Sequence, residues 1–300
     1  MGEESKKSRT VAGQAKPTDK PRGAQPAKPE TQTMTIGIDG VGIDVDVATG
    51  LTGPVFFCLG VRKSGSTLLN KVVTFLAHRN GINTVDLPGT FFRKGLGAGH
   101  WGDVAFDKLI QPGNIYTGFR AMPPALADSS KFSDSLKVFM FRDPRDAVVS
   151  QYFSDAYSHS LPSEQEVHGP GREIFLKKRQ AALETNIDDY ALKAARALGN
   201  TLQLYEPMLN DPTCLLLRYE DYVFQKRRMV GKILRHFGWT MAHGQIEALM
   251  EKVDVVPEAE EKTRFVRKAI PGDHISKLKA ETIRRINNQL KPVLQSFDYY

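Results

Sequence analysis

The pattern of apolar and polar positions changes abruptly near residue 34. Residues 1–33 are rich in Lys, Pro, Gln, Thr and Gly and hold no aromatic residue. Such a stretch cannot bury enough apolar surface to offset its ordering entropy, so it predicts a disordered basic tail ahead of a folded domain over 34–300. MTIGIDGVGIDVDVATG (34–50) then alternates apolar and polar residues around Asp39-Gly40, which predicts a short hairpin. PVFFCLGV (54–61) is apolar throughout, as expected of a strand covered on both faces. Leu68, Leu69, Val72, Val73, Phe75 and Leu76 follow with helical spacing and predict a helix over 67–80.

LKVFMF (136–141) and TCLLLRY (213–219) repeat the character of the first apolar strand, and each precedes a helical stretch. Residues 188–209 read as one long helix with Tyr190, Leu192, Ala195, Leu198, Leu202 and Tyr205 on one side. Residues 86–114 and 155–175, rich in Gly, Pro, His and Ser, read as long loops of the kind that serve as lids or binding segments. Apolar strands alternating with helices give the fold class: α/β, an open and mainly parallel sheet flanked by helices.

Composition narrows the function. The 300 residues carry a formal net charge of +7, which favours an anionic partner: nucleic acid, membrane surface or a phosphorylated small molecule. Cys58 and Cys214 each sit in an apolar run, so both read as strand thiols, with no disulfide framework and no metal site. The first thirty residues lack an apolar signal-peptide core, and no run is long enough for a membrane span. These features point to a soluble protein of a reducing compartment, most simply the cytoplasm.

The chemistry concentrates where the first apolar strand hands over to its helix, at Arg62-Lys63-Ser64-Gly65-Ser66-Thr67. Unpaired N–H groups and the helix dipole make such a junction an anion site. Gly65 permits close backbone approach, Ser64, Ser66 and Thr67 add hydroxyls, and Lys63 adds charge. Gly60 and Gly65 have the spacing of a nucleotide-triphosphate loop, but Ser66-Thr67 follows where Lys-Ser/Thr is required. The later strands end in Arg142 and Tyr219, not in an Asp placed to hold magnesium. A kinase using this loop for ATP is the alternative enzyme. A non-catalytic nucleotide- or polyanion-binding protein is the alternative of another class, although no nucleic-acid-binding module is visible.

Lys63-Ser64-Gly65-Ser66-Thr67 resembles the 5′-phosphosulfate loop of sulfotransferases that use 3′-phosphoadenosine 5′-phosphosulfate (PAPS). Two further elements extend the resemblance. Arg142 at a strand end and Ser150 on the following helix match the family's 3′-phosphate pair, and a guanidinium suits phosphate oxygens. Arg145 and Asp146 between them read as helix-start surface residues. Tyr219-Glu220-Asp221 resembles the family's strand-end Tyr-Glu-Asp, which implies Tyr219 beside adenine; Glu220 and Asp221 read as caps of the next helix. Arg267-Lys268-Ala269-Ile270-Pro271-Gly272-Asp273-His274 resembles the family's late basic loop, with Arg267, Lys268 and Gly272 matching, Ala269 standing for a Gly and His274 for a Trp.

The resemblance implies a P-loop-like sulfotransferase fold with PAPS as co-substrate and no metal. It implies sulfuryl transfer to a hydroxyl of a carbohydrate, lipid or small-metabolite acceptor, with Lys63 stabilising charge on the bridging oxygen. It leaves the general base open. Cytosolic sulfotransferases carry a Lys-x-His where this chain has Ile115-Tyr116-Thr117-Gly118-Phe119-Arg120, which holds no histidine. His100 is the candidate taken forward, with Asp103 and Asp86 as rivals, and Arg120 is a candidate contact to an acidic substrate or to the cofactor.

Overall fold

The computed structural model describes residues 27–97, 100–102, 104–159 and 171–300. Most of the expected tail, as well as Asp103, lies outside the described residues. The first strand, β1 (Thr31–Ile38), begins inside the stretch expected to be tail and pairs antiparallel with β2 (Val41–Ala48). Asp39 and Gly40 form the two-residue turn, both at positive φ (49° and 75°), which matches the twist of the flanking strands.

Five parallel strands form the main sheet in the order β4-β5-β3-β6-β7. They are β3 (Phe56–Gly60), β4 (Asn83–Val85), β5 (Asn114–Phe119), β6 (Leu136–Phe141) and β7 (Cys214–Arg218). The apolar strands are filled on both faces, which is why they show no alternation. Phe57, Leu59, Phe139 and Phe141 enter one core with the helices Pro144–Phe153, Ile187–Gln203 and Ala280–Gln289. Phe56, Cys58, Val138 and Met140 enter the other with α1 (Ser66–Arg79), Lys226–Phe237 and His243–Val253. Among the described residues, no helix is long and apolar enough to cross a membrane.

The hairpin is tied to the sheet through the side-chain amides of Asn114 and Asn83, the latter donating to the Asp46 carbonyl at 3.1 Å. Asn114 at the start of β5 accepts from the Ala48 N–H and donates to its carbonyl, both at 2.9 Å, and accepts from Asn83 at 2.8 Å.

Several local expectations need correction. The stretch 86–114 is not one loop, since it contains the helices Leu87–Arg93 and Phe106–Leu109; the Asp86 carboxylate caps the first by accepting the Gly89 N–H at 3.0 Å. Of 155–175, residues 160–170 lie outside the described residues. The rest is a π-helical turn, Ser154–Ser158, and the start of the helix Gly171–Glu184. The long helix stops at Gln203, and the remainder tightens into the 3-10 segment Glu206–Asn210, with Pro207 in its first turn. The strand order reverses about β3, so its C-terminal end borders the crevice where ligands of open α/β sheets bind.

Candidate active site

The loop between β3 and α1 is held open by backbone geometry that few residues adopt. Lys63 and Gly65 both have positive φ, 63° and 88°. At Gly65 a side chain would also have no room, because a Cβ there would lie 2.8 Å from Tyr219 Cδ2 and 3.0 Å from Met140 Sδ. Ser64 does not present its hydroxyl to the concave side. It is fully buried, with Oγ 2.8 Å from the Val61 carbonyl and 3.0 Å from that of Met140, which pins the loop to β6. The hydroxyls left to the site are those of Ser66 and Thr67. Each accepts from Arg120 at the end of β5, at 3.2 and 3.3 Å.

Lys63 reaches across the loop, its ammonium 5.9 Å from the Phe265 ring. Burial is the main cause that lowers its pKa, to about 8; Arg120, Arg142 and Arg62 push the same way and Asp155 opposes them. Arg62 itself is exposed.

Arg142 closes the second element. Its side chain is 9% exposed and lies over the Tyr219 ring at 4.4 Å. Among the described residues its two hydrogen bonds are long, 3.5 Å to the Lys63 carbonyl and 3.4 Å to Asp146, and its buried Nε has no partner. A buried guanidinium left this under-satisfied fits an additional anion. Ser150 is half-buried on the Pro144–Phe153 helix, four residues beyond Asp146 and so on the same face.

Asp146 and Arg145 are not surface residues. The Asp146 side chain is fully buried and accepts from Gly272 N (2.7 Å), His274 N (3.0 Å) and the His274 ring (2.7 Å), which clamps the late loop to this helix. Burial alone would raise its pKa, yet the His274 bonds and the Arg142 charge lower it to about 2. Arg145 pairs with Asp143 at 2.7 Å and donates to Asn287 and to the Tyr299 carbonyl. Glu220 is likewise a tertiary clamp, accepting from Asp143 N at 3.0 Å and the Tyr299 hydroxyl at 2.8 Å.

The late loop is present beside Arg142, but its cations are already engaged. Arg267 pairs with Glu260 and Asp273 and lies over Phe153 at 4.1 Å; Lys268 pairs with Asp273 at 2.8 Å. Gly272 (φ 79°) starts the short helix Asp273–Lys277. Ala269, where the resembled pattern has Gly, sits at φ 56°, a glycine-like conformation.

The structure separates the base candidates. His100 packs against the hairpin turn, with Nε2 3.9 Å from Asp39 and Nδ1 3.1 Å from Gly97 N; among the described residues, no hydrogen bond or ion pair joins it to the Lys63 loop. Asp86, at the end of β4, lies against the backbone of β5. A Cβ at Gly118 (φ 87°) would come within 2.1 Å of its Oδ1. Asp86, Arg120, Thr117 and Thr67 all line one cavity of about 910 Å³. Its carboxylate also counters the lowering of the Arg120 pKa caused by desolvation and by Arg62. Sequence reasoning gave no part to Asp155, whose charge acts on Lys63, because no local pattern links the first loop to the segment after Phe153.

The sulfotransferase-domain family model matches residues 54–298. No curated protein matches the chain. Among solved structures, mouse sulfotransferase SULT7A1 complexed with PAP aligns over 83% of this chain and 86% of its own, at 14% identity and a TM-score of 0.55. Retinol dehydratase in complex with androsterone and inactive cofactor PAP aligns over 88% and 90% respectively, at 17% identity and a TM-score of 0.44. At 14% identity the likeness to the mouse enzyme speaks to the fold.

Proposed function

Because the chain belongs to the sulfotransferase family, we propose that it transfers a sulfuryl group from PAPS to a hydroxyl of a carbohydrate, lipid or small-metabolite acceptor. The observation that carries the reading is Arg142: a buried, under-bonded guanidinium stacked on Tyr219, one contact away from the Lys63 loop. A second anion site beside the first suits a nucleotide with phosphate at both ends of its ribose, as the solved relative named with PAP also suggests.

In this reading the loop N–H groups, Ser66, Thr67 and Arg120 hold the 5′-phosphosulfate, and Arg142 with Ser150 holds the 3′-phosphate. Tyr219 lies beside adenine. Arg267, Lys268 and Gly272 close the pocket, exchanging part of their pairing with Glu260 and Asp273 for phosphate. PAPS supplies an activated sulfuryl group on a phosphate anhydride. As the acceptor oxygen bonds to sulfur, the bond to the bridging oxygen breaks, and Lys63 stabilises the charge left there. The acceptor proton passes to Asp86, which faces the cavity shared with Thr67 and Arg120, in place of His100.

Calorimetric titration tests the cofactor half. Adenosine 3′,5′-bisphosphate is expected to bind tightly and the analogue lacking the 3′-phosphate weakly, with Arg142→Ala costing about 100-fold for the former alone. Equal affinity for the two nucleotides would sink the 3′-phosphate assignment. Loss of turnover on chelation would favour the kinase instead. For the base, Asp86→Asn is expected to lower turnover by about 100-fold or more while leaving bisphosphate binding intact. His100→Ala is expected to leave both unchanged.

A further inference from the structure

The cavity that holds Asp86, Thr67 and Arg120 continues along the first helix. Beyond Thr67 it is lined by Lys71, Thr74, Phe75 and His78 of α1, a spacing that puts them on one helix face. With the helical rise per residue, Lys71 lies about 6 Å, Phe75 about 12 Å and His78 about 16 Å from Thr67 along the axis. A further wall comes from the His243–Val253 helix, whose Lys252 ammonium stands 5.6 Å from the centre of the Phe75 ring. Lys28, just before β1, also lines the cavity.

The charge here is one-sided. Lys28, Lys71, Lys252 and Arg120 line the cavity, with His78 the farthest from Thr67 on α1, and among the described residues Asp86 is the one carboxylate beside them. Among the described residues no ion pair engages Lys28, Lys71 or Lys252, whereas Lys137, Lys226, Lys268 and Lys277 each pair with a carboxylate. Cations gathered on a concave surface without counter-charges repel one another, and an anion placed among them relieves that repulsion. The neutral lining is mixed. Asn70, Thr74, Thr84 and Thr117 supply amide and hydroxyl groups, while Phe75 and Ile82 are half-buried and apolar. A sugar, with hydroxyls around its edge and C–H groups on its face, matches that mixture.

We infer that this cavity is the acceptor site and that the acceptor is an acidic sugar, its anionic group held by Lys71 and Lys252 and its accepting hydroxyl beside Asp86. The inference rests on the reading of the Thr67–Arg120 end as the place where the sulfuryl group arrives. The separation of about 6–12 Å along α1 between that end and the two lysines is the reach of a sugar ring or a disaccharide. A neutral, apolar acceptor would draw nothing from the lysines and would desolvate the amide and hydroxyl groups without replacing their hydrogen bonds. Carboxylate, sulfate and phosphate all suit ammonium donors, and titration separates the three.

The full chain, saturated with adenosine 3′,5′-bisphosphate at low ionic strength, is titrated calorimetrically with glucuronate, glucose 6-sulfate, glucose 6-phosphate and neutral glucose. At least one acid is expected to bind about tenfold or more tighter than glucose, as two exposed ion pairs allow, and the tightest identifies the anionic group. Lys71→Gln combined with Lys252→Gln should abolish that preference, and Lys71→Arg with Lys252→Arg should retain it. Both lysines are exposed, and bisphosphate affinity should be the same in every variant. Incubation with PAPS should then sulfate the preferred acid. Acids that bind no better than glucose overturn the inference, as does a preference that outlasts the loss of both lysines. Acids that the lysines hold but that are never sulfated overturn the acceptor assignment. A native chain that does not bind adenosine 3′,5′-bisphosphate overturns the cofactor reading instead, and the same acid titrations of the unliganded chain and its variants still report on the cavity.

Discussion

Replacing Gly65 by alanine separates two costs that the loop imposes on its central residue. The first is conformational: an L-residue at φ 88° loses about 1–2 kcal/mol relative to glycine. The second is steric, since the new Cβ would sit 2.8 Å from Tyr219 Cδ2, 3.1 Å from Cε2 and 3.0 Å from Met140 Sδ. Forced packing of this kind costs about 1–3 kcal/mol, so the total is about 2–5 kcal/mol. Tyr219 can yield only by leaving Arg142, which lies 4.4 Å from its ring, and a desolvated cation–π contact is worth about 2 kcal/mol. Gly238→Ala isolates the conformational part, because Gly238 has φ 67° and open space around its missing Cβ. Thermal unfolding should show a loss of about 3 °C for Gly238→Ala and about 10 °C for Gly65→Ala. Calorimetry at low temperature should show bisphosphate affinity reduced at least about tenfold by Gly65→Ala and untouched by the control. Equal unfolding losses, with bisphosphate affinity retained, would refute the argument that Gly65 exists to let the loop pass beneath Tyr219.

Other consequences can be measured separately. Ala269→Gly should relieve the positive φ of 56° and raise stability by up to about 1 kcal/mol, offset in part by the freer unfolded chain; destabilisation in urea would contradict this. Asp146 has a folded pKa lowered to about 2 from the ordinary aspartate value of 3.8. Its contribution is therefore complete above the unfolded value and is lost as pH falls through the folded one. The native protein should lose about 2 kcal/mol more than Asp146→Asn between those two values, and parallel pH–stability curves for the two proteins would dismiss the clamp.

Much of the fold is legible in the sequence because its signals are local. The Asp39-Gly40 turn, the unbroken apolar runs that became β3, β6 and β7, and the stripe along α1 each follow from short-range periodicity and burial. β4 escapes notice because it has three residues and is recognisable as a strand only by its pairing with β5. Lys63, Gly65, Arg142 and Tyr219 stand out in the sequence for a related reason: each follows an apolar strand, Lys63 and Gly65 in the loop between β3 and α1, Arg142 and Tyr219 directly after β6 and β7.

What chain order could not supply was the partner of each charge. Asp146 looks like a helix-start residue until folding brings Gly272 and His274 onto its carboxylate. Ser64 reads as a phosphate donor until β6 takes up its hydroxyl, and only the fold sets His100, a base candidate by sequence, against the hairpin turn. Asp86 draws attention only once folding sets it against the bare backbone of Gly118 and in one cavity with Thr67 and Arg120. Local periodicity determines which segments become strands and helices. The pairing of charges, which sets the pKa values, depends on distances that exist only once the sheet has brought its strand ends together.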